Sequence, residues 1–574
     1  MKAFSTAFLL CTAMAGQSQS VSFAPTFGNN GVLTITLPLG GEAYSHAWRS
    51  GGKLLLAGDI YDGNTNSYRV SLAVIDTVCG ALDMSFGSGG VADAMHEGRT
   101  LCHNIAIQPD GKIVGVGMIA PGNAGSQQWP GVYRFNADGS VDSTFNTTGY
   151  NRFPFDGVGG FDFSAGNLTS VFVNADSTIL CAGTAFDGLI GAFRFNYDGT
   201  PDTTYGIGGA VRMQTPSFTG GSRGAGYLQE DSTLLVVTSV YNGSTTALAI
   251  AKFDAFGAPD SSFGINGLAV SSVPAVSPVL GMAMQPDGRF LVSTSSGSTD
   301  TGFTMARFMP DGALDVSYGM NGVSAVDGDF PGWDERGRKM QLLADGSTLQ
   351  FGRVVGQYPV ILQRDADGNV VTTFGTNGFA IANSNDGNAQ FYNGLVLTGG
   401  DVIGYGGTYP FLFLADRLTT DPVMSALPVI SISGSDLTCT GAGELQWYLD
   451  GVLISGATAS TFTPAQNGTY TVTMTVSADC EFTSAPFNML SVGVADLNAA
   501  AITVVNNPVT DMLVVLNNSG VVRYELLSIE GQRIVNGLLH GGRNAIDMNG
   551  MASGIYLLRT WSNGEIATQR IIKN

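Results

Sequence analysis

Charge is scarce in this chain. Asp, Glu, Lys and Arg together make 13% of its residues, and the balance is one-sided, with 46 acidic against 26 basic residues and a formal net charge of -20. So few charges argue against an architecture of helices with solvated faces. The acidic excess repels phosphate backbones and anionic headgroups, so no nucleic-acid partner and no membrane-surface docking is expected. Histidine is rarer still. His46, His96, His103 and His540 are the only four, and none has a partner at H-x-x-x-H or H-E-x-x-H spacing, which argues against a zinc enzyme. In "MHEGRTLCHN" the neighbours Glu97 and Cys102 of His96 and His103 read as an ordinary polar loop, not a metal site. There is no C-x-x-C pair, no G-x-S-x-G elbow and no P-loop, and the Asp-Gly turns are too short for a twelve-residue calcium loop. No metal and no cofactor is expected. Uninterrupted apolar runs of about 18 residues are also missing, so no transmembrane segment is expected.

Glycine is what the chain has in plenty, 79 of 574 residues. Dense turn formers between short apolar runs predict an all-β protein. The N-terminus, "MKAFSTAFLLCTAMAGQ", carries Lys2, an apolar stretch from Ala3 to Ala13, and Ala13-Met14-Ala15. This pattern predicts a signal peptide over 1–15 with cleavage after Ala15, export to the periplasm, and a compartment that permits disulfides.

One turn is rewritten along most of the chain. Aligned on its aromatic, "DSSFGINGLAV" at Asp260 to Val270 is one of seven copies, centred on Phe27, Phe86, Phe145, Tyr205, Phe263, Tyr318 and Phe374, with spacings of 55 to 60 residues. Four positions later there is always Gly: Gly31, Gly90, Gly149, Gly209, Gly267, Gly322 and Gly378. A backbone position that rejects every Cβ, such as one with positive φ, is the simplest cause. Five copies place Asp three residues before the aromatic, at Asp83, Asp142, Asp202, Asp260 and Asp315, which suits an Asx-type turn. Asn146 stands where the other copies have Gly, which puts the geometry of that turn in question.

Further turns recur inside each repeat, as in "QPDGK" at Gln108 to Lys112 and "RFNADGSVD". Each unit therefore holds about four short strands. Seven four-stranded units predict a seven-bladed β-propeller over 21–421, because each small sheet has two apolar faces that only neighbouring sheets can cover. The last repeat lacks the aromatic-Gly turn and the N-terminal "APTFGNNGV" supplies one, so the two ends are expected to complete one blade. Equivalent connections after the second strand are the most variable, and they place Tyr68, Trp129, Tyr241 and Tyr358 on one expected face, where they are candidates for ligand contact.

The D-x-x-F-G-x-x-G and Q-P-D-G-K cores resemble the delta-60 repeats of bacterial extracellular proteins. That resemblance implies a propeller-like fold and no catalytic residues. Residues 429–492 look like an immunoglobulin-like β-sandwich, through Cys439, Trp447, Tyr470 and Cys480. A Cys439–Cys480 bridge is the hypothesis that follows, although Val472 stands where the second cysteine of that pattern belongs. Residues 501–574 read as a small C-terminal β-sandwich. They resemble type A sorting domains of the type IX secretion system of Bacteroidota through Asn507-Pro508, "IEGQRIV" with Gly531, Gly554-Ile555-Tyr556 and the terminal run ending at Lys573. The resemblance implies handling by the type IX translocon and sortase, and delivery to the outer surface or the medium. The whole reads as an exported binding or adhesion protein for surface glycans or proteins. The alternatives are a secreted propeller enzyme acting on glycans, with its site assembled across blades, or a purely structural surface protein.

Overall fold

The computed structural model describes residues 22–419, 427–489 and 502–574, apart from short internal stretches of which the longest are 122–127, 153–165, 295–301, 327–334 and 383–388. The expected signal peptide, with Ala15, lies outside the described residues. The chain divides into two compact units, Met1–Leu427 with Thr475–Phe482, and Pro428–Met474 with Thr483–Asn574. Apart from a 3-10 turn at Phe145–Thr147, all regular structure among the described residues is β.

The first unit contains seven antiparallel sheets in chain order, here blades I to VII. Blade I is built from Gly41–Arg49, Lys53–Asp62, Ser67–Asp76 and Val91–Ala94, and blades II to VI repeat that pattern, beginning at Arg99, Gly166, Gly220, Val279 and Glu335. Blade VII takes Gln390–Val396, Val402–Thr408 and Leu412–Thr419 from the end of the repeat region, and its outer strand, Val32–Ile35, from the start. Each blade's first strand contacts the first strand of the next, and the last of them contacts Gly41–Arg49. The seven sheets thus form a closed propeller ring, zipped by the N-terminal strand as the phase of the repeats requires.

The invariant aromatic is the plug between blades. Phe27, Phe86, Phe145, Tyr205, Phe263 and Tyr318 are at most 2% exposed. Phe145, for example, packs with Val114, Val116 and Val132 of blade II and Leu168, Ile179 and Cys181 of blade III. Full burial of such a ring is worth about 1.5–3 kcal/mol. The Gly four residues later sits at φ +87° to +95° in all seven copies, and its N–H donates to the aromatic residue's carbonyl, as from Gly267 to Phe263 at 2.9 Å. An L side chain is strained there, which is why the position admits only Gly. Asn146 adopts φ +47°, close to the +53° to +56° of Gly at the same place in the other copies, but the next positive φ falls on Thr147 and not on the residue before the Gly, so the third turn departs from the others and closes as a 3-10 turn. Each Asp three residues before the aromatic accepts the amide two residues on, as expected of an Asx-type turn; Ser262 N–H to Asp260 is 3.0 Å.

In the second unit, a three-stranded sheet of Val429–Ser433, Asp436–Thr440 and Thr461–Phe462 accompanies a sheet holding Glu444–Leu449 and Gly468–Ser477. Trp447 is fully buried and stacks on Phe462 at 5.5 Å between centroids, and Tyr470 donates its hydroxyl to the Gln466 carbonyl at 2.7 Å, the corner contact of sandwich folds. The expected Cys439–Cys480 bridge is not formed. Cys480 is bonded to Cys79, and Cys439 is a buried free thiol. The reason is positional: Val472, fully buried two residues after Tyr470, fills the place of the second cysteine, and Cys480 lies beyond the end of that strand, in the segment that belongs with the propeller unit.

The C-terminal residues form sheets of three and four strands around a core that includes Leu513, Leu526, Ile546 and Leu558. The Asn507 side chain donates to the Arg570 carbonyl at 2.8 Å and accepts from the Ile572 amide at 2.7 Å, tying the Asn-Pro segment to the last strand, Glu565–Lys573. Gly531 turns the hairpin at φ +82°. Gly554 opens the strand Gly554–Ser562, in which Tyr556 is buried with its hydroxyl on the Ala552 carbonyl.

Candidate functional site: the propeller cavity

A strand that turns every side chain alternately into one interface or the other has none left for the ring's axis. Each blade solves this by breaking the ladder. The pairing of the first strand with the second slips in all seven blades, at Ala43/Ser45, Cys102/Asn104, Leu168/Ser170, Gly221/Gly224, Val279/Gly281, Gly337/Met340 and Phe391/Asn393. A bulge inserts an unpaired residue and re-aims its side chain. Tyr44, His103, Thr169, Arg223, Leu280, Arg338 and Tyr392 are the residues so released, and all line one cavity of about 290 Å³.

The cavity has two unlike sides. Blades III to V present mostly backbone and small side chains, Thr169, Ser170, Gly224, Ala225, Gly226 and Gly281, joined by Leu280, Met282 and one cation, Arg223. Blades VI, VII and I present Arg338, Lys339, Tyr392, Tyr44 and His46. Here Glu42 organises the wall: it accepts the hydroxyls of Tyr44 and Tyr392, each at 2.8 Å, and the Gln390 amide at 3.3 Å. The two tyrosine rings meet edge to face at 4.6 Å. Arg338 lies over the Tyr392 ring at 5.0 Å and donates to Gln390 Oε1 at 3.1 Å. Lys339 reaches the Tyr44 carbonyl at 3.2 Å.

Depth in the protein governs how these groups titrate. Burial pushes the Lys339 ammonium down to about 8 and lowers Arg338 as well. Burial, then Lys339, pushes His46 down to about 4, and burial takes His103 to about 3, so both rings are neutral at ordinary pH. Tyr44 and Tyr392 are raised by burial and stay protonated. Behind this wall, burial raises Asp59 to about 8 although it accepts the Cys102 amide. Three buried polar atoms of the lining have no hydrogen-bond partner in the protein: His103 Nε2, Thr169 Oγ1 and Arg338 Nε. Buried polar atoms are normally satisfied, so a cluster of three in one cavity is a donor and acceptor set left for something else.

The four loop aromatics lie elsewhere. Tyr68 packs on Tyr61 and under Arg99, Trp129 lies under Arg152, Tyr241 donates its hydroxyl to Gly243, and Tyr358 opens the third strand of blade VI. Among the described residues no ring contact joins any two of them, and none lines the cavity. The cavity residues escaped the reading of the sequence because a bulge leaves no mark on period-2 alternation. A signal does exist. Eight residues ahead of the positive-φ turn residue of each first hairpin (Gly52, Gly111, Ser177, Ser232, Gly288, Gly346 and Gly400) stand Tyr44, His103, Thr169, Gly224, Leu280, Arg338 and Tyr392, all in the lining. Cys102 and His103, weighed together as metal ligands, point apart: Cys102 packs in the core of blades I and II with its thiol pushed up to about 12 by burial, and His103 faces the cavity with Nδ1 on the Leu168 carbonyl. The one described cluster with metal-ligand spacing, Asp76, Cys79 and Cys480, contains the disulfide.

Comparison with known proteins matches residues 108–145 and 285–318 to a domain of unknown function (DUF5122) beta-propeller, and residues 504–574 to the secretion system C-terminal sorting domain. No curated protein matches the chain. Among solved structures, the polysaccharide lyase Uly1 is similar at 13% identity and a TM-score of 0.38, over 72% of this chain and 94% of that one. PorZ, a surface component of the type IX secretion system of Porphyromonas gingivalis, is similar at 11% identity and a TM-score of 0.28, over 96% of this chain and 82% of that one. Drosophila Semaphorin 2a is similar at 8% and 0.38, over 95% and 98%. At such identities and TM-scores none of the three bears on function. No helix among the described residues is long and apolar enough to cross a membrane. The chain carries DUF5122 β-propeller repeats and a type IX secretion C-terminal sorting domain, which makes it an exported protein of the outer surface or extracellular space.

Proposed function

We propose that this is an exported binding protein whose ligand enters the propeller cavity. The observation that carries the reading is the set of seven aligned bulges, which turn residues from every blade into a single polar concavity. Ring closure and blade packing need only the alternating faces of the strands, so a bulge repeated at one place in each blade serves the lining. Saccharides suit such a wall, with aromatic edges beside amide, hydroxyl and cationic donors. The sorting domain is the address, handled by the type IX translocon and, we propose, removed by its sortase. Residues 21–421, 429–492 and 501–574 are the domains we assign to binding, spacing and export.

An enzyme acting on glycans is the second reading. It is favoured by Lys339, which burial pushes down to about 8 and which lines the same cavity as Tyr44 and Tyr392. One experiment separates the readings. The exported protein is titrated with a panel of neutral and acidic oligosaccharides while product formation is followed, in parallel with Thr169→Trp, which fills the cavity from its small-residue side. Saturable binding without turnover, lost in Thr169→Trp, supports the binding protein. Turnover assigns an enzyme. Binding that Thr169→Trp leaves intact moves the site to the loop aromatics, of which Tyr241, 49% exposed, is the most accessible, and Tyr241→Ala then tests it.

A further inference from the structure

The fold treats its cations in two ways. Arg364, fully buried, meets only neutral acceptors, Ser324, Gln350 and the Phe303 carbonyl, but four other cations that hold blades together are paired with aspartate: Arg134 with Asp142 at 2.7 Å, Arg194 with Asp202 at 2.6 Å, Arg307 with Asp315 at 2.7 Å and Arg417 with Asp401 at 2.6 Å. The two adjacent cations of the blade VI bulge are not. Among the described residues neither Arg338 nor Lys339 has a carboxylate within ion-pair distance. Lys339 meets a carbonyl, and Arg338 a side-chain amide and a ring face, with its Nε left unpartnered. The one carboxylate in their wall, Glu42, is engaged by two tyrosine hydroxyls and an amide.

Holding two neighbouring, half-buried cations on a cavity wall without counter-charge is costly, and the chain has acidic residues to spare. An anion arriving with the ligand supplies the missing counter-charge, and the unpartnered Arg338 Nε leaves a donor for it, whereas all three donating nitrogens of Arg364 have acceptors in the fold. Beside the cations stand the edge-to-face rings of Tyr44 and Tyr392, and opposite them lie Thr169 Oγ1 and His103 Nε2, both lacking partners. The volume, about 290 Å³, sits near the lower end of small-molecule sites, about 300 Å³. It suits the end of a chain and not a folded partner.

Resting on the cavity-binding reading above, we propose that the ligand is an acidic saccharide, a pyranose bearing a carboxylate, with the carboxylate between Arg338 and Lys339 and the ring against Tyr44 and Tyr392. Thr169, Ser170 and His103 on the other side of the cavity then meet its hydroxyl groups.

The test is isothermal titration of the full exported protein with three matched probes: a galacturonic acid trisaccharide, a galactose trisaccharide and a sulfated galactose trisaccharide. A charge-assisted contact of this kind is worth roughly a tenfold or larger change in affinity. The galacturonate probe is expected to bind at least about tenfold more tightly than the neutral one, with affinity falling as salt rises. Arg338→Gln and Lys339→Met are each expected to remove that preference, so that the acidic and neutral probes bind alike. Lys339→Arg keeps the charge and is expected to keep the preference, so the proposal is tested even if Lys339→Met does not fold. Equal binding of neutral and acidic probes overturns the acidic assignment and leaves the cavity reading standing. Preference for the sulfated probe overturns the carboxylate. Binding of none of the three defeats both the assignment and the saccharide reading beneath it.

Discussion

Replacing Arg307 by Met removes one side of a buried ion pair and keeps most of the side chain's volume. Arg307 is 3% exposed and Asp315 7%. The guanidinium makes five contacts: Nε to Asp315 at 2.7 Å, Nη1 to the Ala366 carbonyl of the next blade at 2.6 Å and to the exposed Asp367 at 3.9 Å, Nη2 to Ser317 at 3.2 Å, and its face over the Tyr318 plug at 4.8 Å. Removing one partner of a buried pair costs about 3–5 kcal/mol, because the other charge stays behind. Asp315 keeps the Ser317 hydroxyl and amide, and Arg289 approaches at 3.4 Å, so the low end, about 3 kcal/mol, is expected here. Arg289→Gln should cost under about 1 kcal/mol, since that cation is 35% exposed. Burial alone would raise the Asp315 carboxyl, but the Ser317 and Arg307 donors outweigh it and hold it below the usual range. The pair's contribution is therefore fully present above the ordinary carboxylate pKa and is lost as pH falls through the depressed folded value. Urea unfolding followed by far-UV circular dichroism, with and without Arg289→Gln, measures all of this. A loss below about 1 kcal/mol for Arg307→Met, or a larger loss for Arg289→Gln, refutes the assignment of this pair as a blade-to-blade tie.

Four further outcomes are expected. Gly267→Ala, at φ +88° with a new Cβ 2.8 Å from Pro259 Cβ, should destabilise by roughly 2 kcal/mol or more in the same assay. The Cys79–Cys480 disulfide spans 401 residues, for which the chain-entropy estimate is about 6 kcal/mol and common losses about 2–5 kcal/mol. Non-reducing peptide mapping should show that pair, Cys79→Ser should lower stability, and Cys439→Ser should not. Binding of an acidic saccharide should weaken as pH rises through about 8, where Lys339 loses its proton and Asp59 loses one behind the same wall. His46 and His103 are lowered and Tyr44 and Tyr392 raised by burial, so all four stay neutral across that window. Flat affinity from pH 6 to 10 would remove Lys339 from the site. Deleting residues 501–574 in a type IX-competent host should leave the product in the periplasm, and a truncated protein found outside would show that this domain is not the export signal.

Much of the fold is legible because its causes are local. A Gly at φ near +90° and an Asp that accepts the amide two residues on are decided within one turn, and the aromatic between them recurs because each blade edge needs the same plug. Repetition made those causes visible. The cysteine pairing was misread for the opposite reason. The spacing of Cys439, Trp447 and Tyr470 matches a sandwich pattern, but the partner of Cys480 lies 401 residues away, and no local rule reaches that far. The cavity was missed because its residues follow no motif of their own. Arg338 and Lys339 in "ERGRKMQL" read as ordinary polar positions of a strand until the bulge turns them inward.

The sequence by itself determined the repeat, the turn geometry, the all-β class and the C-terminal address, since each depends on backbone sterics, alternation or a contiguous motif. Tertiary structure decided which side chains meet. Ring closure sets seven strands, distant in the chain, around one axis, and a one-residue slip in each ladder selects what faces it. Side-chain direction in a strand has period two, so a single inserted residue reverses it, and composition and hydropathy carry no record of that insertion.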